Sequence, residues 1–226
     1  MVARIKTVAF NGIDVRDVDV QVQIANGLPA FTIVGLPDKA VSEARERVRA
    51  ALHALGMSLP AKRITVNLAP ADLSKEGSHF DLPVAIALLG AMDILQVEDI
   101  EGYCALGELG LDGKLAPVVG VLPAAVFASG AGLGLICPKA QGGEAAWAGD
   151  VSIIAPDNLL DLINHFKGAQ ILTPPEASTS SEAPVYADLT DIKGQETAKR
   201  ASEIAAAGGH NILIMCPFNY FVKSMI

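Results

Sequence analysis

The stretch that decides the fold runs from Ile64 to Met92 and reads ITVNLAPADLSKEGSHFDLPVAIALLGAM. Ile64, Val66 and Leu68 alternate with Thr65 and Asn67, the two-residue period of a strand with one buried face. A polar loop follows, holding Asp72, Lys75, Glu76, Gly77, Ser78 and His79. From Asp81 the chain is apolar on every side, so a helix here has no solvent face and must lie inside the domain. Asp81 is the expected cap of that helix, with Pro83 accommodated in its first turn, where no intrahelical donor is required. Strand, polar loop and helix N-terminus in succession is how many phosphate sites and active sites are built. Lys75, Ser78 and His79 are therefore the candidate nucleophile and base, set against a purely structural loop. Neighbours in sequence rarely form a working pair, which favours the structural loop.

Working outward, residues 2 to 34 read as β structure. Val15, Val18, Val20, Val22 and Ile24 alternate through Asp17, Asp19, Gln21 and Gln23, the pattern of an edge or half-exposed strand. Asn26-Gly27 is a hairpin signal, with Phe31 to Val34 as the returning strand. Gly35-Leu36-Pro37-Asp38 breaks it, and Asp38 is the expected N-cap of a helix from about Lys39 to Leu55, ended by Gly56. Val41, Ala44, Val48, Leu52 and Leu55 form its apolar face. Glu43, Arg45, Glu46, Arg47 and Arg49 form a charged face expected in solvent, with contact to a partner or nucleic acid as the sharper alternative. Beyond Met92, Ala105–Leu111 and Lys114–Val118 flank Asp112-Gly113, a second hairpin whose two central residues would both take positive φ. A helix over Leu122–Ser129, strands at Leu133–Cys137 and Val151–Ala155, and a helix over Asn158–Phe166 with Leu159, Leu160, Leu162 and Ile163 inward complete the pattern. The fold class is α+β, mixed α/β, over residues 1–168.

Residues 169–187, ending in the Pro-, Ser- and Glu-rich run TPPEASTSSEAPVYA, read as a linker. A new pattern over 188–226 begins DLTDIKGQETAKRASEIAAAGGHNILIM, with a helix from about Gln195 to Ala207 and a buried strand starting at Ile212.

Bulk properties narrow the function classes. With 226 residues and 51% hydrophobic composition the chain can bury a sizeable core. No run of about 18 uncharged apolar residues occurs, and no signal-peptide pattern opens the chain, so a soluble cytoplasmic protein without a membrane partner is expected. A net charge of −8 argues against autonomous nucleic-acid binding by the whole chain, though a local basic face is compatible with it. Cys104, Cys137 and Cys216 stand far apart among apolar neighbours, without metal-ligand spacing, and read as buried thiols; no metal site is expected. Gly130-Ala131-Gly132-Leu133-Gly134 precedes a strand instead of following one, which makes it a turn and not a dinucleotide loop.

At the C-terminus, Lys223-Ser224 could end a phosphate-binding GxxxxGK[ST] loop, but the two glycines would fall at Pro217 and Val222. Without them the backbone amides cannot turn inward around a phosphate. Lys223 and Ser224 are thus a degenerate remnant, and no cofactor is expected for this chain.

Three blocks carry a resemblance: NLAPADLSKEGSHFDLPVAIALL, GELGLDGKLAPVVGVLPAA and DLTDIKGQETAKRASEIAAAGGHNILI. Together they resemble the magnesium-chelatase-like AAA+ ATPase family called YifB or ComM. The resemblance implies a Lon-protease-like N-terminal domain, a linker, and the start of an AAA+ module. It also implies ATP and magnesium as cofactors of full-length members, which act as hexameric DNA helicases in branch migration during natural transformation. Self-association, a full-length relative, or DNA through the parent motor are the partners it suggests. The Ser–Lys dyad of the Lon-like peptidases would fall at about His79 or Phe80 and at about Leu122 or Pro123, and neither residue type stands there. Ser78 and Lys75 do not replace it, because the dyad lysine comes from the later element. The family continues into GPPGxGK[ST], where this chain reads CPFNYFVKSMI, so a truncated or frameshifted product is expected. The expectation is a non-catalytic accessory domain, with a hydrolase working through Lys75, Ser78 and His79 as the alternative.

Overall fold

The computed structural model describes residues 2–12, 14–178 and 188–213. The chain divides into two compact units, Met1–Thr179 and Ser180–Ile226. In the first, strands β1 (Val2–Asn11), β2 (Asp14–Ala25) and β3 (Ala30–Val34) precede helix α1 (Lys39–Ala54). Strand β4 (Arg63–Ala69), a 3-10 turn at Ser78–Phe80 and α2 (Asp81–Ala91) follow, then the short α3 (Val97–Ile100). Strands β5 (Tyr103–Ala105), β6 (Glu108–Leu109) and β7 (Leu115–Ala116) lead to α4 (Val121–Gly130). The unit closes with β8 (Gly134–Ile136), α5 (Gly142–Ala145), β9 (Ile153–Ile154) and α6 (Leu159–Phe166).

Among the described residues, seven strands form one sheet in the order β3-β4-β2-β1-β5-β8-β9. Strand β2 alone runs against the other six. The fold is therefore mixed α/β with a mostly parallel sheet. β1 and β2 form a long hairpin turned at Gly12, in register from Val2 opposite Gln23 to Asn11 opposite Asp14. That hairpin sits between β4 and β5, so α2, which connects them, must cross beneath both of its strands. All ten residues from Asp81 to Gly90 are buried, as the helix's all-round apolarity requires. The inward residues Ile5, Val18, Val20, Val22, Ile64, Val66 and Leu68 meet α2 and the apolar stripe of α1 in the main core. A second, smaller core lies on the other face, where α4 covers Val8, Cys104 and Leu135.

Several sequence expectations are corrected here. Asn26-Gly27 does not join a hairpin: β3 pairs parallel with β4, and β4 lies between it and β2. The fully alternating β4 pairs on both sides, which displaces the shorter β3 to the edge. For the same reason β2 is a central strand, although Gln23 remains exposed as a half-exposed strand requires. The second hairpin forms between β6 and β7, but positive φ occurs at Gly113 and not at Asp112. The Gly113 amide donates to Gly110 O at 3.0 Å and the Gly110 amide to Lys114 O at 2.8 Å, a turn closed by one left-handed glycine. Leu160 faces solvent, 46% exposed, because three neighbouring apolar positions already fill the inward stripe of α6. Residues 172–178, within the expected linker, lie against this unit. The Leu172 amide donates to His165 Nδ1 at 2.9 Å, and Trp147 Nε1 donates to Ser178 O at 3.2 Å.

In the second unit, α7 (Glu196–Gly208) ends at Gly209 in the left-handed conformation, and Asp188 caps a 3-10 turn through the Thr190 amide. Ile212 and Leu213 are exposed and outside any strand, contrary to the expected buried strand, whose remainder lies outside the described residues.

Candidate functional site

The polar loop after β4 is held by the loop after β3. These neighbouring parallel strands end together, and their extensions continue the ladder: Lys75 N donates to Leu36 O at 3.2 Å and Asp38 N to Lys75 O at 3.0 Å. Asp38 serves both sides of this junction. Its Oδ1 accepts from the Val41 amide at 2.7 Å, capping α1 as expected, while Oδ2 accepts from the Gly77 amide at 3.4 Å. Gly35 permits the close approach: a Cβ there would stand 2.1 Å from Leu68 O.

Each candidate side chain on this loop has a separate partner. Lys75 is buried, its ammonium donates to Pro70 O, and desolvation lowers its pKa. His79 is 6% exposed, with Nε2 2.9 Å from Val8 O and the ring between Phe10 and Phe80. Burial lowers its pKa, so the imidazole is held neutral; the Val8 carbonyl and the more distant Asp38 oppose that shift. Ser78 Oγ donates to the Glu108 carboxylate. Lys75, Ser78 and His79 thus make no hydrogen bond to one another, and the loop does not assemble them as a triad.

Asp81 is not the helix cap; that position is Phe80, without a side-chain cap bond. The Asp81 carboxylate, fully buried, instead receives Arg47 from α1 through two bonds, Nε to Oδ2 at 2.6 Å and Nη2 to Oδ1 at 2.9 Å. The Leu109 amide adds a third at 3.1 Å, and Arg47 Nη2 also donates to Ala40 O. Arg47 therefore leaves the solvated face expected for it, and its side chain is only 20% exposed. The two partners respond unequally. Asp81 raises the guanidinium's pKa, whereas burial pushes the carboxyl up despite the pull of Arg47 and the Leu109 amide. The rise in Arg47 follows from the two-pronged contact; that in Asp81 follows from complete desolvation.

Glu108, which sequence reasoning passed over, joins Gly77, Ser78, Pro117, Val118 and Val119 around an open cleft of about 460 Å³. Its signal was its place in the second hairpin, two strands away from Ser78 in sequence but beside it in space. Leu122 belongs to α4, which begins beyond this cleft after Gly120. Burial pushes the thiols of Cys104 and Cys137 up to about 12, so both are inert. Among the described residues, no three His, Cys, Asp or Glu side chains converge to hold a metal. Lys223 and Ser224, the expected phosphate-loop remnant, lie outside the described residues, as do Pro217 and Cys216, the third expected buried thiol.

Comparison with known proteins bears on this site directly. Residues 20–141, which include the β4–α2 loop and the β6–β7 hairpin, match the family model described as subunit ChlI of Mg-chelatase. The chain belongs to the Mg-chelatase ChlI family. Residues 188–226 match a second model, described as magnesium chelatase, subunit ChlI. Within the family the chain is YifB/ComM-like. It is 43% identical to the competence protein ComM of Haemophilus influenzae over 214 residues, 92% of this chain and 42% of that protein. It is 41% identical to YifB of Salmonella typhimurium over 215 residues, 95% of this chain and 42% of the relative. YifB of Escherichia coli is 40% identical over 213 residues, 94% of this chain and 42% of its own length. The chain thus spans about two fifths of the length of the curated relatives it matches. His79 and Phe80 are both buried, and Leu122 and Pro123 stand at the start of α4. No helix among the described residues is long and apolar enough to cross a membrane.

Proposed function

We propose that this chain supplies a non-catalytic N-terminal module, of Lon-protease-like descent, to a ComM/YifB-like AAA+ ATPase that processes DNA in the cytoplasm. The observation that carries this reading is the consumption of the loop's polar groups by the fold. His79 is bonded to Val8 O, Lys75 to Pro70 O, and Asp81 to Arg47, so none of the three is free to act on a substrate. The module then acts through its surfaces, in ring assembly or in contact with DNA or a protein partner. ATP and magnesium serve the motor of full-length members, and competence-related branch migration is the activity proposed for the assembled parent.

One observation favours a second reading. Ser78 and Glu108 meet at the open cleft beside Val119, which leaves room for a hydrolase site of non-standard composition. The two readings part on a single measurement. The purified chain, incubated with casein and a serine-directed fluorophosphonate probe, is expected to leave casein intact and Ser78 unlabelled. Labelling that maps to Ser78 overturns the non-catalytic reading.

A further inference from the structure

The two edges of the sheet are unlike. β9 is two residues long, a blunted edge, whereas β3 runs over five residues, AFTIV, with no charge and no proline. Among the described residues nothing pairs with the outer side of β3, so its free amides and carbonyls form an open template. At its end Leu36 holds φ +55°, a left-handed conformation that bulky residues avoid, with its side chain 59% exposed.

Helix α1 runs over this edge with two different flanks. Arg47 lies on the flank turned to α2, where it holds Asp81. Arg45, Arg49 and His53 recur every four residues on the opposite flank, and all three are exposed. Arg49 and His53 line, with Ala30, Phe31 and Lys62, a cleft of about 310 Å³ that has no acidic lining residue, although the chain's net charge is −8. Glu46 is the one carboxylate on α1 paired with these arginines, 3.0 Å from Arg45 and 3.8 Å from Arg49, and both pairs are at the surface.

We propose that the β3 edge binds an extended peptide segment with acidic residues at alternate positions, which adds to the sheet as an eighth strand beneath the Arg45–Arg49–His53 stripe. The spacing supports this. Four helical residues advance about 6 Å, and two strand residues about 6.8 Å. Alternate carboxylates of an added strand therefore stay in step with the stripe. The intervening side chains would lie on the opposite face with Thr32 and Val34, both exposed, which suits β-branched residues. A nucleic-acid strand matches the charge but cannot satisfy the alternating donors and acceptors of a strand edge.

The test uses the full chain and a fluorescein-labelled peptide of alternating glutamate and valine, with a lysine–valine peptide and single-stranded DNA as comparisons. Expected are saturable anisotropy changes for the acidic peptide alone, slowed amide exchange at Ala30–Val34 on binding, and about tenfold weaker affinity for R45E/R49E. Both substitutions are at exposed positions, and unchanged circular dichroism of the variant checks its fold. No binding of the acidic peptide, binding that leaves exchange at Ala30–Val34 unchanged, or affinity indifferent to R45E/R49E overturns the proposal. So does DNA binding that displaces the peptide without protecting β3.

Discussion

The Arg47–Asp81 pair shows how one side chain can change roles between sequence and structure. In composition Arg47 groups with the charged residues Arg45 and Arg49, although two-residue spacing sets it on the opposite flank of α1, and its i,i+4 partner Glu43 is within reach at 3.9 Å. It turns away because a fully buried carboxylate is costly without a charged, hydrogen-bonded partner. Removing Arg47 leaves the fully buried Asp81 carboxylate without its charged partner, so Arg47→Met is expected to lower stability by about 3–5 kcal/mol in urea denaturation. Asp81→Leu should lower it by less, because Arg47 keeps Ala40 O, Glu43 and partial exposure to solvent. The double variant Arg47→Met/Asp81→Leu should recover most of that loss; equal, additive losses would mean that the pair does not act as a unit. His79 makes a pH-dependent contribution. Its folded pKa lies below the unfolded value, so the unfolded chain binds the proton more readily. That contribution is complete above about pH 6.5 and falls as pH drops from there towards the folded pKa. Urea midpoints between pH 5 and 7.5 should therefore decline more steeply for the native chain than for His79→Gln.

At the level of elements, α2 and α4 are both almost wholly apolar, yet only α2 is buried on every side. The β1–β2 hairpin, α1 and the β6–β7 hairpin surround α2, whereas α4 covers a single sheet face and leaves Val126 56% exposed. The start of α4 depends on a close approach. Gly120 holds φ +91°, and a Cβ there would stand 2.3 Å from Phe10 Cζ, on the ring that also packs against His79. Gly120→Ala is therefore expected to cost about 1–3 kcal/mol through strain and overpacking. Thermal unfolding of the variant, with near-ultraviolet dichroism to monitor the Phe10 region, checks this; an unchanged midpoint would refute it.

For the molecule as a whole, among the described residues, both cores lie wholly in the first unit, and the second has a single buried apolar residue, Ala205 on α7. The division at Thr179 and Ser180 falls inside the Pro-, Ser- and Glu-rich run. That composition carries little to bury, as suits a boundary between two compact units. The sheet carries its asymmetry from end to end, from the open β3 beside the cations of α1 to the two-residue β9. At this scale the polar loop at the centre of the first unit ties the ends of β3 and β4 to the start of α1 through Lys75 and Asp38.

The pattern of apolar residues was enough to place β2, β4, α1 and α2, because each has a strong period or a uniformly apolar run that burial must satisfy, whereas β1 was legible only as part of a β region over 2–34. Asp38 as a cap, Gly130–Gly134 as a turn and the burial of Cys104 and Cys137 were also legible, since cap and turn chemistry and apolar neighbours point to them. Strand order was not. Whether β3 folds back on β2 or lies beyond β4 depends on long-range pairing, and Asn26-Gly27 carries only short-range information. The site shows the same division. The sequence named the loop of Lys75, Ser78 and His79, but only tertiary packing decided that Val8, Glu108 and Arg47, each at least 30 residues away, would take up its polar groups.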